Sequence, residues 1–234
     1  MRSILLLCLA FTFSSLTAHA QQATEADSGS VRIVVLGSST AAGTGPSDPD
    51  SAWVNRYRRH LQAMGPQYEV VNLAVGGYTT YQLLPTDSAP TDGRPAPDSA
   101  HNITQALSLD PDAIIINLPS NDAANGFSVE DQLANYAAML ERAEAQGVPV
   151  WIATTQPRNL DEAGRAMQVA MRDSTHTRFG AHAIDFWTGL AEDDATVKPM
   201  YDSGDGIHLN DAAHAILFQR VAEADVPEVL KAEK

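Results

Sequence analysis

Residues 33–45 read IVVLGSSTAAGTG. Four apolar residues stop at Gly37, two serines follow at once, and no side chain larger than threonine comes after them up to Gly45. A short apolar run bounded by glycine is the pattern of a buried β-strand. Such a strand, expected over 31–36 (VRIVVL), would hand its serines to the turn at its carboxyl end.

The same alternation runs down the chain. Apolar, β-branched runs at 68–73, 113–118 (AIIINL), 148–154 and 181–186 read as further strands. Helical periodicity falls at 53–64, 99–107, 129–145, 162–178 and 211–224, with Gly65-Pro66 and Gly147 as stop signals. Strands that are apolar throughout, separated by helices, belong to a parallel sheet covered on both faces. The expected fold is α/β: a three-layer, doubly wound, flavodoxin-like five-stranded parallel sheet in the order 2-1-3-4-5. The dinucleotide-binding variant is disfavoured, because no G-x-G-x-x-G follows the first strand and there is no P-loop lysine. Residues 85–98 (PTDSAPTDGRPAPD) break the alternation and read as a long irregular excursion. No repeat and no second domain is evident, so residues 31–234 are expected to form a single domain.

The N-terminus has a different character. Residues 1–20 (MRSILLLCLAFTFSSLTAHA) carry a basic start, an apolar stretch and a closing Ala18-His19-Ala20. That is the pattern of a secretory signal peptide cleaved after Ala20, with 21–30 as a polar tail. The expected location is therefore secreted or periplasmic, without a stable membrane anchor. The one cysteine, Cys8, lies inside this segment, and seven preceding residues are too few for a lipoprotein leader. The mature chain has no disulfide or thiol chemistry. Cleavage leaves about 210 residues, enough for one domain with a full core. A net charge of −14, with lysine only at 198, 231 and 234, argues against nucleic acid and anionic membranes as partners. Oligomeric state is not encoded in any visible pattern.

In a doubly wound sheet, ligands bind at the carboxyl ends of the strands. After strand one stand Gly37-Ser38-Ser39 and Gly43; after strand two, Asn72 to Thr79 with the pair Gly76-Gly77; after strand three, Ser120-Asn121-Asp122. Before the last helix, Asp205 and His208 are three apart. Read singly, each also fits ordinary turn or cap chemistry. Read together, they supply a hydroxyl, backbone N–H donors, a side-chain amide and a carboxylate–imidazole pair, in that order.

This ordered set resembles the SGNH hydrolases, also called GDSL esterases/lipases, over essentially the whole mature domain. The resemblance implies catalytic roles for Ser39 as nucleophile, His208 as general base and Asp205 as its orienting acid. It implies an oxyanion hole from Ser39 N–H, Gly77 N–H and the Asn121 side chain, with Gly76 as the fallback for Gly77. Two positions depart from the family pattern: Ser38 stands where an aspartate is usual, and Pro119 where the third block usually has glycine. The implied activity is serine-nucleophile hydrolysis of short-chain acyl esters, such as O-acetyl groups of polysaccharides, with no cofactor and no metal. His60, His101, His176, His182 and His214 show no metal-ligand spacing. The competing readings are a lysophospholipase or thioesterase acting on lipid, and an inactive relative that binds glycans or a partner.

Overall fold

The computed structural model describes residues 30–118 and 120–232. The expected signal peptide, nearly all of the expected tail, Cys8 and Pro119 lie outside the described residues. Five strands, β1 (Val31–Gly37), β2 (Tyr68–Asn72), β3 (Ala113–Asn117), β4 (Val150–Ala153) and β5 (Ala183–Ile184), form one sheet in the order β2-β1-β3-β4-β5. Every pairing is parallel. The expected order is therefore the observed one. The central strands are buried along their length because both faces are covered: β3 has no exposed residue.

The helices are α1 (Ser39–Ala42), α2 (Trp53–Met64), α3 (Ile103–Leu107), α4 (Asn121–Ala124), α5 (Val129–Glu144), α6 (Glu162–Phe179), α7 (Asp211–Glu223) and α8 (Val226–Ala232). Side chains alternate across a strand, so β1 divides its residues between two cores. Ile33 and Val35 pack with Trp53, Tyr57 and Leu61 of α2 and Leu217 and Val221 of α7. Val34 and Leu36 pack on the other face with Leu107 of α3, Leu133 and Met139 of α5, and Met171 of α6.

Boundaries differ from expectation for local reasons. The helix expected from 99 starts only at Ile103, because Asn102 caps it by accepting from Gln105 N–H at 3.0 Å. Strand β5 keeps only two residues, since 180–182 turn tightly before it. No helix or strand forms between Leu83 and Ile103, so residues 85–98 are the irregular excursion expected. Among the described residues, no helix is long and apolar enough to cross a membrane.

Candidate active site

The site is built where β1 and β3 end together. Gly37 pairs with Asn117, and a Cβ on Gly37 would fall 2.2 Å from the Asn117 carbonyl oxygen. Only glycine allows that approach. Ser38 N–H continues the ladder to Asn117 O at 3.1 Å, and the chain then turns into α1 with Ser39 as its first residue. The two serines diverge. Ser38 is fully buried, whereas Ser39 is partly exposed and its Oγ lies 3.1 Å from His208 Nε2.

The loop before α7 is held by carboxylates. Asp202 Oδ1 accepts the N–H groups of Gly204, Asp205 and Gly206 at 2.9, 3.2 and 2.9 Å. Asp205 Oδ1 accepts those of Ile207 and His208 at 2.9 and 2.8 Å. These nested turns leave Asp205 Oδ2 2.6 Å from His208 Nδ1. Desolvation pushes the Asp205 carboxyl up, but the His208 and Ile207 hydrogen bonds outweigh it and hold it down at about 2. An ionised carboxylate only accepts, so Nδ1 carries the proton and Nε2 presents its lone pair to Ser39. The arrangement can therefore move a proton from Ser39 to His208 while Asp205 steadies the cation.

The exit of β2 forms the second wall. Asn72 donates to Ala41 O at 2.8 Å and accepts from Ala74 N–H at 3.0 Å, tying this loop to α1. Tyr78 N–H bonds to Val75 O at 3.4 Å, closing a turn whose third residue, Gly77, has φ +87°. A side chain at that position would be strained. A Cβ on Gly76 would sit 3.9 Å from the Ser39 Cβ. Gly76 thus lines Ser39 while Gly77 shapes the turn. The N–H groups of Ser39 and Gly77 make no hydrogen bond among the described residues.

Asn121 opens α4 and faces the same space. Its Nδ2 donates to Ser38 Oγ at 2.8 Å and to Tyr78 O at 2.9 Å. Its Oδ1 accepts from Arg158 Nη1 at 3.0 Å. A carbonyl only accepts and a guanidinium only donates, so these partners fix which way round the amide lies. Here the replacement at Ser38 has a visible consequence: a hydroxyl takes one of the two Asn121 hydrogens.

Four supporting residues escaped the sequence reading: Asn72 and Asp202, which fold their loops, and Gln156 and Arg158 beyond the end of β4. The last two stand at a strand's carboxyl end, which was signal enough to single them out. Buried Gln156 accepts the Thr40 hydroxyl and donates to Ile207 O at 3.0 Å. The other described histidines are placed elsewhere: His182 stacks on Trp151, His60 meets Phe218 edge-on, His101 contacts Leu73 O, His176 is exposed in the last turn of α6, and His214 accepts from Trp53 N–H. Among the described residues, no three His, Cys, Asp or Glu side chains gather as a metal site.

The sequence model of the GDSL-like lipase/acylhydrolase family matches residues 35–216, a span that includes every site residue above. The chain belongs to this family. Solved structures of low sequence identity share its fold. A psychrotrophic esterase from Pseudoalteromonas sp. superposes with a TM-score of 0.60 at 17% identity, covering 85% of this chain and 98% of that one. An acetyl xylan esterase gives 0.59 at 16% identity, covering 83% and 99%. A two-domain esterase active on acetylated mannans gives 0.57 at 17% identity, covering 86% of this chain and 49% of that one. No curated protein matches the chain significantly. Family membership makes this GDSL-like chain an ester-bond hydrolase by class.

Proposed function

We propose that this protein is a secreted serine esterase that removes short acyl groups, foremost O-acetyl groups of polysaccharides. The observation that carries the chemistry is the hydrogen-bonded chain from Ser39 Oγ through His208 to Asp205, at 3.1 and 2.6 Å. Ser39 Oγ attacks the ester carbonyl carbon as its proton passes to His208 Nε2. The oxyanion is received by the N–H groups of Ser39 and Gly77 and by Asn121 Nδ2. Both Asn121 hydrogens have acceptors in the resting protein. A developing oxyanion is a stronger acceptor than the Ser38 hydroxyl, so one hydrogen shifts to it as charge builds. Asn121 then stabilises the transition state more than the ground state. Collapse breaks the ester C–O bond, and His208 protonates the departing alkoxide. Water repeats the sequence on the acyl-serine and releases the acid.

The acyl preference rests on lighter support. The residues after Ser39 are small, Thr40 to Gly43, and two structures of similar fold are described as esterases of acetylated xylan and mannan. The N-terminal pattern of residues 1–20 supports export. The test is hydrolysis of 4-nitrophenyl esters from acetate to long acyl chains by the mature protein and its Ser39→Ala variant. An acetate optimum that disappears in the variant supports the reading. A long-chain optimum moves the substrate to lipids, and equal rates with both proteins discard the nucleophile.

A further inference from the structure

Arg158 stands beside Asn121, and the ester chemistry gives it no part. It extends from beyond the end of β4 to Asn121, where Nη1 donates to Oδ1 at 3.0 Å. The Nε atom is buried without a partner, and Nη2 has no acceptor among the described residues. The other arginine ion pairs of the described residues belong to Arg32, Arg59, Arg94, Arg142, Arg172 and Arg220; Arg158 has none within 4.0 Å. Half-buried charges are ordinarily paired, because desolvation is costly. Burial does push the Arg158 guanidinium down, with the charge of Asp205 opposing. Asp205 does not supply the missing partner: its ion pair is with His208, and no Arg158 nitrogen comes within 4.0 Å of its oxygens. In a chain of net charge −14, this unpaired cation lies beside the amide proposed to meet the oxyanion.

We propose that Arg158 recognises a carboxylate on the substrate, so that the preferred esters carry an acid group on the alcohol side, as O-acetylated uronate units do. This deepens the esterase reading and rests on it. An acetyl group has no ionisable group, which leaves the sugar to carry the charge. The guanidinium has one edge tied to Asn121 and Nη2 free, which suits a single monoanionic group. The nearby Asp205 charge disfavours a dianion such as phosphate. Tethered through Asn121, the cation is pre-positioned beside the reacting ester, so recognition and catalysis share one side-chain pair.

The experiment compares acetate release from two matched mono-O-acetylated methyl glycosides, one of glucuronic acid and one of glucose. Wild type, Arg158→Gln and Arg158→Lys are measured at low and high salt. A charge-assisted bond predicts a kcat/KM ratio of acid to neutral substrate of about 10 to 100 in wild type. Arg158→Gln should bring that ratio to about 1, Arg158→Lys should keep part of it, and salt should shrink it. Equal wild-type rates on the two sugars overturn the proposal, as does a preference that survives in Arg158→Gln. So does an equal loss on both substrates, which would reduce Arg158 to a support for Asn121. Should Arg158→Gln fail to fold, the wild-type ratio and its salt dependence decide alone. No acetate from either sugar, with 4-nitrophenyl acetate still cleaved, removes the polysaccharide reading and this inference together. Release at equal rates removes this inference alone.

Discussion

The side chain of Gln156 joins Thr40 to the loop that carries His208. Its Oε1 accepts the hydroxyl of the residue after Ser39, and its Nε2 donates to the carbonyl of the residue before His208 at 3.0 Å. One buried amide thus sets the separation between the groups proposed to exchange a proton. Replacing it by leucine keeps the volume and removes both bonds. A displacement of about 1 Å at the reacting atoms can cost on the order of 10²-fold. Gln156→Leu is therefore expected to lower kcat about 10- to 100-fold with little change in KM. It should also lose about 1–3 kcal/mol of stability from the two buried groups left unpaired. Steady-state kinetics beside urea titrations check both. Normal kcat in a destabilised variant would leave Gln156 a packing residue only.

The two adjacent serines should behave differently. Ser39→Ala and His208→Ala are expected to lose about 10³-fold or more in kcat. Ser38→Ala removes only an acceptor of Asn121 and should retain most of the activity. A fluorophosphonate probe, read by peptide mass spectrometry, should label Ser39 and spare Ser38. Label on Ser38 would reverse the assignment.

Asn121→Ala is expected to cost about 10²–10³-fold in kcat while KM for a neutral ester holds. Gly77→Ala should act through the backbone instead. At φ +87° an alanine costs about 1–2 kcal/mol, seen as a lower urea midpoint. A Gly77→Ala protein with unchanged stability would contradict the turn described for residues 75–78.

The layer order, the ends of the first three strands and the loop before the last helix were legible because they are local: apolar period, glycine stops, and short blocks in fixed order. Helices α1 and α4 were not, since four residues such as Ser39-Thr40-Ala41-Ala42 carry no periodicity. The clamps were hidden for another reason. Thr40 and Gln156 are 116 positions apart, and Asn121 and Arg158 are 37 apart. Contacts made only by the fold leave no spacing in the chain. Ser38 and Ser39 are adjacent in the chain, and only the fold puts Ser39 rather than Ser38 3.1 Å from His208 Nε2. Gly76 and Gly77 look alike in sequence and separate only once the turn is built.

Stability against pH should show two buried groups working in opposite directions. Burial pushes the Asp122 carboxyl up to about 6, against the Thr80 hydrogen bonds that lower it. A raised carboxyl stabilises fully below its unfolded value of 3.8 and loses that contribution as pH rises through 6. Burial pushes the His214 imidazole down to about 4, and its Nδ1 accepts from Trp53 N–H. A lowered histidine stabilises fully above its unfolded value of 6.5 and loses that contribution as pH falls through 4. Each is worth on the order of 3 kcal/mol across its window. The windows overlap, so wild-type stability should be nearly flat between about pH 4 and 6.5. Asp185 and Asp205 are held below 3.8 and titrate outside this range. Asp122→Asn should unmask the histidine, with urea midpoints that rise with pH across the window. His214→Asn, which keeps an acceptor for Trp53, should unmask the carboxyl, with midpoints that fall. If both variants follow the wild-type profile in parallel, neither group titrates with folding and the cancellation is refuted.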